Sequence, residues 1–140
     1  MIVTGTTLVT GTASGKPLHL AEPLSFWGGF DAVTGRVIDR RHPDHGVALT
    51  GRIVIVRAAR GSSSGSSVLA EAIRAGTAPA AFIIAERDGI LTVGAMVASE
   101  LYDRHCPIVV TALADLARLA SAASITVTAD ATGARIDAQI

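Results

Sequence analysis

The 140-residue chain sets twelve Lys and Arg against twelve Asp and Glu, so its formal net charge is zero; 49% of it is hydrophobic and only 17% charged. No long basic run and no apolar stretch of about 18 residues occurs, which argues against nucleic-acid binding, a membrane-surface role and a membrane span. The length suits one domain, 1–140, and with 4% aromatic residues its core must be filled by Val, Ile, Leu and Ala.

A mean hydropathy of +0.47 fits either a compact small-residue core or an apolar face that a partner covers. The start, Met1 to Gly5, has neither the charged nor the apolar region of a signal peptide, so the cytoplasm is the expected compartment.

In chain order, Ile2-Val3-Thr4 and Thr7-Leu8-Val9-Thr10 predict short strands around Gly5 and Gly11. From Ala21 to Thr50 no period holds, and Gly28-Gly29, Gly35, Pro43 and Gly46 break the chain. So long an irregular stretch in a small domain is more often functional than idle. Arg52–Val56 is a continuous β-branched run suited to a buried strand. Val68, Leu69, Ala72 and Ile73 share one helical face, with Gly76 placed to stop the helix. Ala80–Ala85 predicts a second buried strand, which makes residues 52–85 one βαβ unit. Asp88-Gly89 reads as a turn, Thr92–Tyr102 as a helix of small residues and Pro107–Val110 as a strand. Leu113, Leu116, Ala117 and Ala120 mark a further helix. Ile125–Thr128 and Ala134–Asp137 alternate as terminal strands. The pattern implies an α/β domain, a mixed sheet with a central βαβ unit and packed helices.

The densest chemistry lies between the first strand and helix of that unit, in Arg60-Gly61-Ser62-Ser63-Ser64-Gly65-Ser66-Ser67. Ligands of open α/β sheets bind off the carboxyl ends of strands. A helix N-terminus there favours an anion. Gly61 and Gly65 allow close backbone approach, five serines supply hydroxyls, and Arg57 and Arg60 flank the loop for pairing with a carboxylate. A flexible linker would not be gripped by a strand and a helix, and N-capping by Ser66 or Ser67 needs one serine, not five. The lysine that completes a Walker phosphate loop is absent.

Two other segments stand out. Glu22-Pro23-Leu24-Ser25-Phe26-Trp27-Gly28-Gly29 holds the only Trp. It suits either an aromatic anchor for a loop or an active-site wall or docking loop. His42-Pro43-Asp44-His45 contains metal-ligand types but no further cluster, and reads better as an exposed polar turn. The single cysteine, Cys106, excludes an internal disulfide and an iron–sulfur cluster held by this chain alone. Beside Pro107 and an Ile-Val-Val run it reads as a buried structural thiol.

Taken together, Glu22–Asp31, Thr34-Gly35, Ile38-Asp39, His42-Pro43, Arg60–Ser66, Gly76–Ala80 and Gly94–Ala98 resemble the small subunit of aconitase X, over nearly the whole chain. The resemblance implies a swivelling β/β/α domain of the aconitase superfamily of dehydratases. Such a domain closes over an active site in a large partner subunit. The iron or iron–sulfur centre would be held by that partner and not by this chain. The superfamily's loop reads Gly-Ser-Ser-Arg, with its first serine the catalytic base. Matching it puts the base on Ser62 and a substrate contact on Ser63, with Gly61, Ser64, Gly65 and Arg60 completing the binding loop. Ser64 stands where the superfamily has its arginine, so the carboxylate clamp would pass to Arg60, to backbone N–H groups or to the partner.

Within the family, Phe26-Trp27 and Ser63-Ser64 are similar to the bacterial branch, which dehydrates cis-3-hydroxy-L-proline. The archaeal phosphomevalonate dehydratases are the alternative. A stand-alone anion-binding module without catalysis is the other.

Overall fold

A computed structural model describes all residues, Met1–Ile140. Its eight-stranded sheet runs in the order β2-β9-β10-β1-β8-β7-β6-β3. The strands are β1 (Ile2–Val9), β2 (Gly11–Gly15), β3 (Pro17–His19), β6 (Ile53–Ile55), β7 (Ala81–Ile84), β8 (Ile108–Val110), β9 (Ser124–Asp130) and β10 (Gly133–Gln139). A small antiparallel pair, β4 (Phe30–Asp31) and β5 (Arg36–Val37), lies apart from it. The helices are α1 (Phe26–Gly29), α2 (Gly65–Ala75), α3 (Gly89–Tyr102) and α4 (Leu113–Ala120).

The sheet has two characters. β3, β6, β7 and β8 pair in parallel, whereas β2, β9, β10 and β1 pair antiparallel, as do β1 and β8. β6, β7 and β8 read as unbroken apolar runs because both faces are buried. Val54, Phe82, Ile84 and Ile108 face a core closed by Leu69, Ile73, Leu91 and Ala95 of α2 and α3. Their neighbours Ile53, Ile55, Ile83 and Val109 face the other way. These four pack with Leu116 and Leu119 of α4 and with Ile125, Val127 and Ile136 of the antiparallel strands. The antiparallel half therefore lies over the parallel half, with α2 and α3 as a third layer. This is the expected β/β/α arrangement around a βαβ unit.

Two boundaries differ from the sequence reading. β1 continues through Gly5 instead of breaking there. The strand pairs with β10 up to Gly5 and with β8 from Thr6 onward. A Cβ on Gly5 would lie 2.5 Å from the Val110 carbonyl oxygen, so the glycine marks a close strand approach and not a turn. Asp88-Gly89 is likewise not a free turn. Asp88 is the N-cap of α3, which starts three residues earlier than its apolar spacing indicated.

Ala21–Thr50 remains mostly irregular, as expected, but it is firmly held. Phe26 packs on Phe30 and Phe82 with ring centroids 4.9 and 5.8 Å apart. Thr77 Oγ1 donates to the Ala32 carbonyl at 2.6 Å and Thr50 Oγ1 to the Thr77 carbonyl at 2.7 Å. Gly35, at φ +72°, sits between these two threonines. Thr34-Gly35 and Gly76–Ala80, far apart in sequence, thus form one clamp.

Candidate active site

The serine loop leaves the carboxyl end of β6 and enters α2. Its approach is fixed by a parallel bridge between Leu24 and Ala59 and by the Arg60 N–H, which donates to the Leu24 carbonyl at 3.4 Å. Its exit is fixed by Gly65, the buried first residue of α2. A Cβ there would meet Ile90 Cγ2 at 3.1 Å, Phe26 Cβ at 3.3 Å and Trp27 N at 3.4 Å. Gly61 is at φ +88°, and a Cβ on it would lie 2.3 Å from Ser25 Oγ. The fold thus brings together two motifs that the sequence kept separate: the serine loop rests on the Ser25–Trp27 turn.

Gly61, Ser62, Ser63 and Ser64 are exposed. Ser62 Oγ accepts the Ser64 N–H at 3.1 Å, a local hydroxyl turn. In the first turn of α2 the N–H groups of Gly65, Ser66 and Ser67 donate to the carbonyls of Ser62, Ser63 and Ser64. The helix terminus is therefore less open to an anion than the sequence suggested, because the loop winds into short turns before the helix starts. The unpartnered donors lie earlier, on the N–H groups of Gly61, Ser62 and Ser63.

Ser64 is the N-cap position of α2 but makes no side-chain cap bond. Neither Ser66 nor Ser67 takes that role. Ser67 Oγ donates to the Ser64 carbonyl, and Ser66 Oγ reaches across to the Ile90 carbonyl of α3 at 2.7 Å. That bond is possible because Gly94 and Ala95 let α3 approach closely; a Cβ on Gly94 would lie 2.7 Å from the Ser66 carbonyl oxygen. Ser63, Ser64, Ser66 and Ser67 line a shallow depression of about 410 Å³ with Ala70 and Val97.

Both flanking arginines are paired and exposed. Arg60 Nη2 lies 3.7 Å from Glu22 Oε1, and Arg57 Nε lies 3.2 Å from Glu86 Oε2. Exposed pairs of this kind are weak and exchange readily for another carboxylate. Trp27 is exposed beside the loop, while Phe26 is buried. The aromatic segment is thus both anchor and wall, through different residues.

His42 corrects the sequence reading. It is buried, not part of an exposed turn. One ring nitrogen, Nε2, lies 2.9 Å from the Glu22 carbonyl, and Nδ1 accepts the Asp44 N–H at 3.0 Å. Asp44 in turn accepts the Ala21 N–H at 3.0 Å. The histidine thereby ties the long irregular segment to the start of the Glu22–Gly29 motif.

Sequence reasoning placed Ser25 only within the aromatic segment and Asp88 only in a turn, and linked neither to the serine loop. The buried Asp88 carboxylate accepts the Ala59 N–H at 2.6 Å, just before the serine loop. The signal was present: Asp88 followed by Gly89 and the apolar pair Ile90-Leu91 is an N-cap pattern as much as a turn pattern.

The donor set for a metal is poor. No group of three or more His, Cys, Asp or Glu side chains is gathered. Cys106 is buried, its Sγ 3.5 Å from the Pro79 carbonyl, and burial pushes its thiol up to about 12. A thiol held neutral in this way does not suit iron, so the residues of this chain do not fit the iron centre the superfamily implies.

With this geometry in place, comparison with known proteins fixes the family: the sequence description of the aconitase X swivel domain matches residues 2–136. The chain belongs to the aconitase X swivel-domain family. The crystal structure of Thermococcus kodakaraensis aconitase X superposes with a TM-score of 0.81 at 26% identity, covering 100% of this chain and 99% of that one. The cis-3-hydroxy-L-proline dehydratase of Pseudomonas aeruginosa is 52% identical over 102 residues, 73% of this chain but only 18% of that protein. The phosphomevalonate dehydratase small subunit of Methanothermobacter thermautotrophicus is 42% identical over 88 residues, 63% of this chain and 67% of that subunit. The chain thus spans about a fifth of the hydroxyproline dehydratase it matches. No helix of this aconitase X swivel domain is long and apolar enough to cross a membrane.

Proposed function

We propose that residues 1–140 form a single cytoplasmic swivel domain that serves as the small subunit of a hydro-lyase dehydrating cis-3-hydroxy-L-proline, with Ser62 as the catalytic base. The observation that carries the substrate reading is the 52% identity to a protein of that activity, against 42% to a phosphomevalonate dehydratase small subunit.

Ser62, as its alkoxide, takes the proton from the carbon that bears the carboxylate. The C–O bond at the neighbouring carbon breaks, a C=C bond forms between the two carbons, and the departing hydroxide together with the proton that Ser62 took up and then gives back makes the water released. The enamine-type product tautomerises to a cyclic imine. A serine is a weak base, so its charged form needs preorganised donors. The Ser64 N–H, 3.1 Å from Ser62 Oγ, is one. The free N–H groups of Gly61, Ser62 and Ser63, with Arg60 released from Glu22, form the carboxylate clamp that replaces the superfamily's arginine. Ser63, Ser64 and Gly65 complete the substrate contact. The departing hydroxyl would be met by the partner subunit, which would hold the iron centre and supply Lewis-acid chemistry there.

The surface supports such a partner. Beside the serine depression, α3 exposes Val93, Met96, Val97 and Leu101, and Glu100 is the helix's single charge. A helix apolar on both faces is normally covered. Val97 belongs to both the apolar strip and the depression, so a body that completes the site also covers the strip.

The test is reconstitution with the large aconitase X subunit. Turnover of cis-3-hydroxy-L-proline by the complex, and by neither part alone, is the expected result. Turnover of phosphomevalonate instead would overturn the substrate assignment. Failure to form a complex would favour the stand-alone anion-binding module.

A further inference from the structure

The serine loop is held at both ends by the first turn of α3, and one carboxylate governs that turn. On the entry side, Asp88 Oδ2 accepts the Ala59 N–H at 2.6 Å, the shortest tether on the segment leading into the loop. After Arg60, whose own bond to Leu24 is 3.4 Å, the next three backbone N–H groups have no partner. On the exit side, Ser66 Oγ donates to the Ile90 carbonyl at 2.7 Å, and Ile90 packs where Gly65 has no side chain. Asp88 Oδ1 accepts the N–H groups of Ile90 at 2.8 Å and Leu91 at 3.1 Å. The same buried carboxylate therefore fixes the strand end before the loop and orients the peptide that receives the helix after it. Three backbone N–H groups held at 2.6–3.1 Å by one buried side chain leave little play.

We propose that Asp88 is a positioning residue that sets the span and orientation of the Gly61–Ser64 loop from the α3 N-terminus, and through it the placement of Ser62. Its catalytic consequence rests on the dehydratase reading; its structural consequence does not. The two oxygens have separable tasks. In Asp88→Asn the amide oxygen keeps the two α3 N–H bonds while the amide nitrogen faces the Ala59 N–H, donor against donor. Asp88→Ser likewise retains an N-cap and removes the second acceptor.

Two measurements test this on the full chain and its complex. In backbone hydrogen exchange, both variants are expected to lose protection at Ala59 and Ser64 by about tenfold or more, while the interior of α3, Gly94–Ala98, stays within about twofold of the parent. In the reconstituted complex, kcat for cis-3-hydroxy-L-proline is expected to fall about thirtyfold with KM changed less than about threefold, because the base is displaced but the binding surface persists. A general loss of folding would instead lower the amount of active enzyme and loosen α3. Unchanged exchange at Ala59 and Ser64 would overturn the tether. A loosened loop with unchanged kcat would overturn the positioning role. If the parent complex turns over no hydroxyproline at all, the dehydratase reading fails, and the exchange result still decides the tether.

Discussion

Two irregular segments meet at Gly61, and they are held in opposite ways. Ala21–Thr50 is long, yet its polar backbone is occupied: His42 bridges Glu22 and Asp44, Arg36 reaches the Gly46 carbonyl, and Thr77 holds Ala32. The serine loop is short and is anchored only at its ends, with consecutive N–H groups left open to solvent. Irregular backbone in a small domain is therefore of two kinds. One satisfies its own donors and acts as scaffold, and the other leaves them for something else. Accounting for each backbone group separates the two where length and composition do not.

That contrast predicts that breaking the long segment costs stability and breaking the short one costs function. The largest effect is expected at Gly35→Ala. The added Cβ would sit 2.1 Å from Thr50 Oγ1 and 2.7 Å from the Thr77 carbonyl oxygen, at a φ of +72°. A loss of about 3 kcal/mol or more in denaturant unfolding is expected. His42→Ala should follow at about 2 kcal/mol, since it leaves the Glu22 carbonyl and the Asp44 N–H without their buried partner.

A pH ramp gives a graded version. Cys106 lies against the Pro79 carbonyl, behind the clamp on Ala32, and burial raises its thiol from the ordinary 9.0 to about 12. The fold favours the neutral form, so the contribution is intact below pH 9 and is lost as pH rises toward 12, by roughly 1.4 kcal/mol per unit. Denaturant midpoints recorded across that window should show the slope in the parent and a flatter one in Cys106→Ala.

Much of the scaffold was legible in the sequence. β6, β7 and β8 announced themselves because strands buried on both faces become continuous apolar runs, and α4 because its spacing is strictly helical. Gly76 marked the end of α2, where it takes the left-handed conformation expected of a helix stop. The start of α3 was missed because Asp-Gly is both a turn pair and a cap. His42 was missed because a polar residue that is buried and satisfied looks, in sequence, like one that is exposed. The serine loop could be found from glycine placement and hydroxyl count. Its seat on Ser25 and its tie to Asp88 join residues more than twenty positions apart, and no local pattern encodes such pairs.

The central claim is that the loop is half of an active site and Ser62 its base. It is tested most directly by Ser62→Ala in the complex with the large subunit. Ser62 is exposed and its hydroxyl accepts only a local N–H, so stability should change by less than about 0.5 kcal/mol and pairing should be unaffected. Turnover of cis-3-hydroxy-L-proline should fall on the order of 10⁴-fold or more. Near-normal turnover by a folded, fully assembled Ser62→Ala complex would contradict the account.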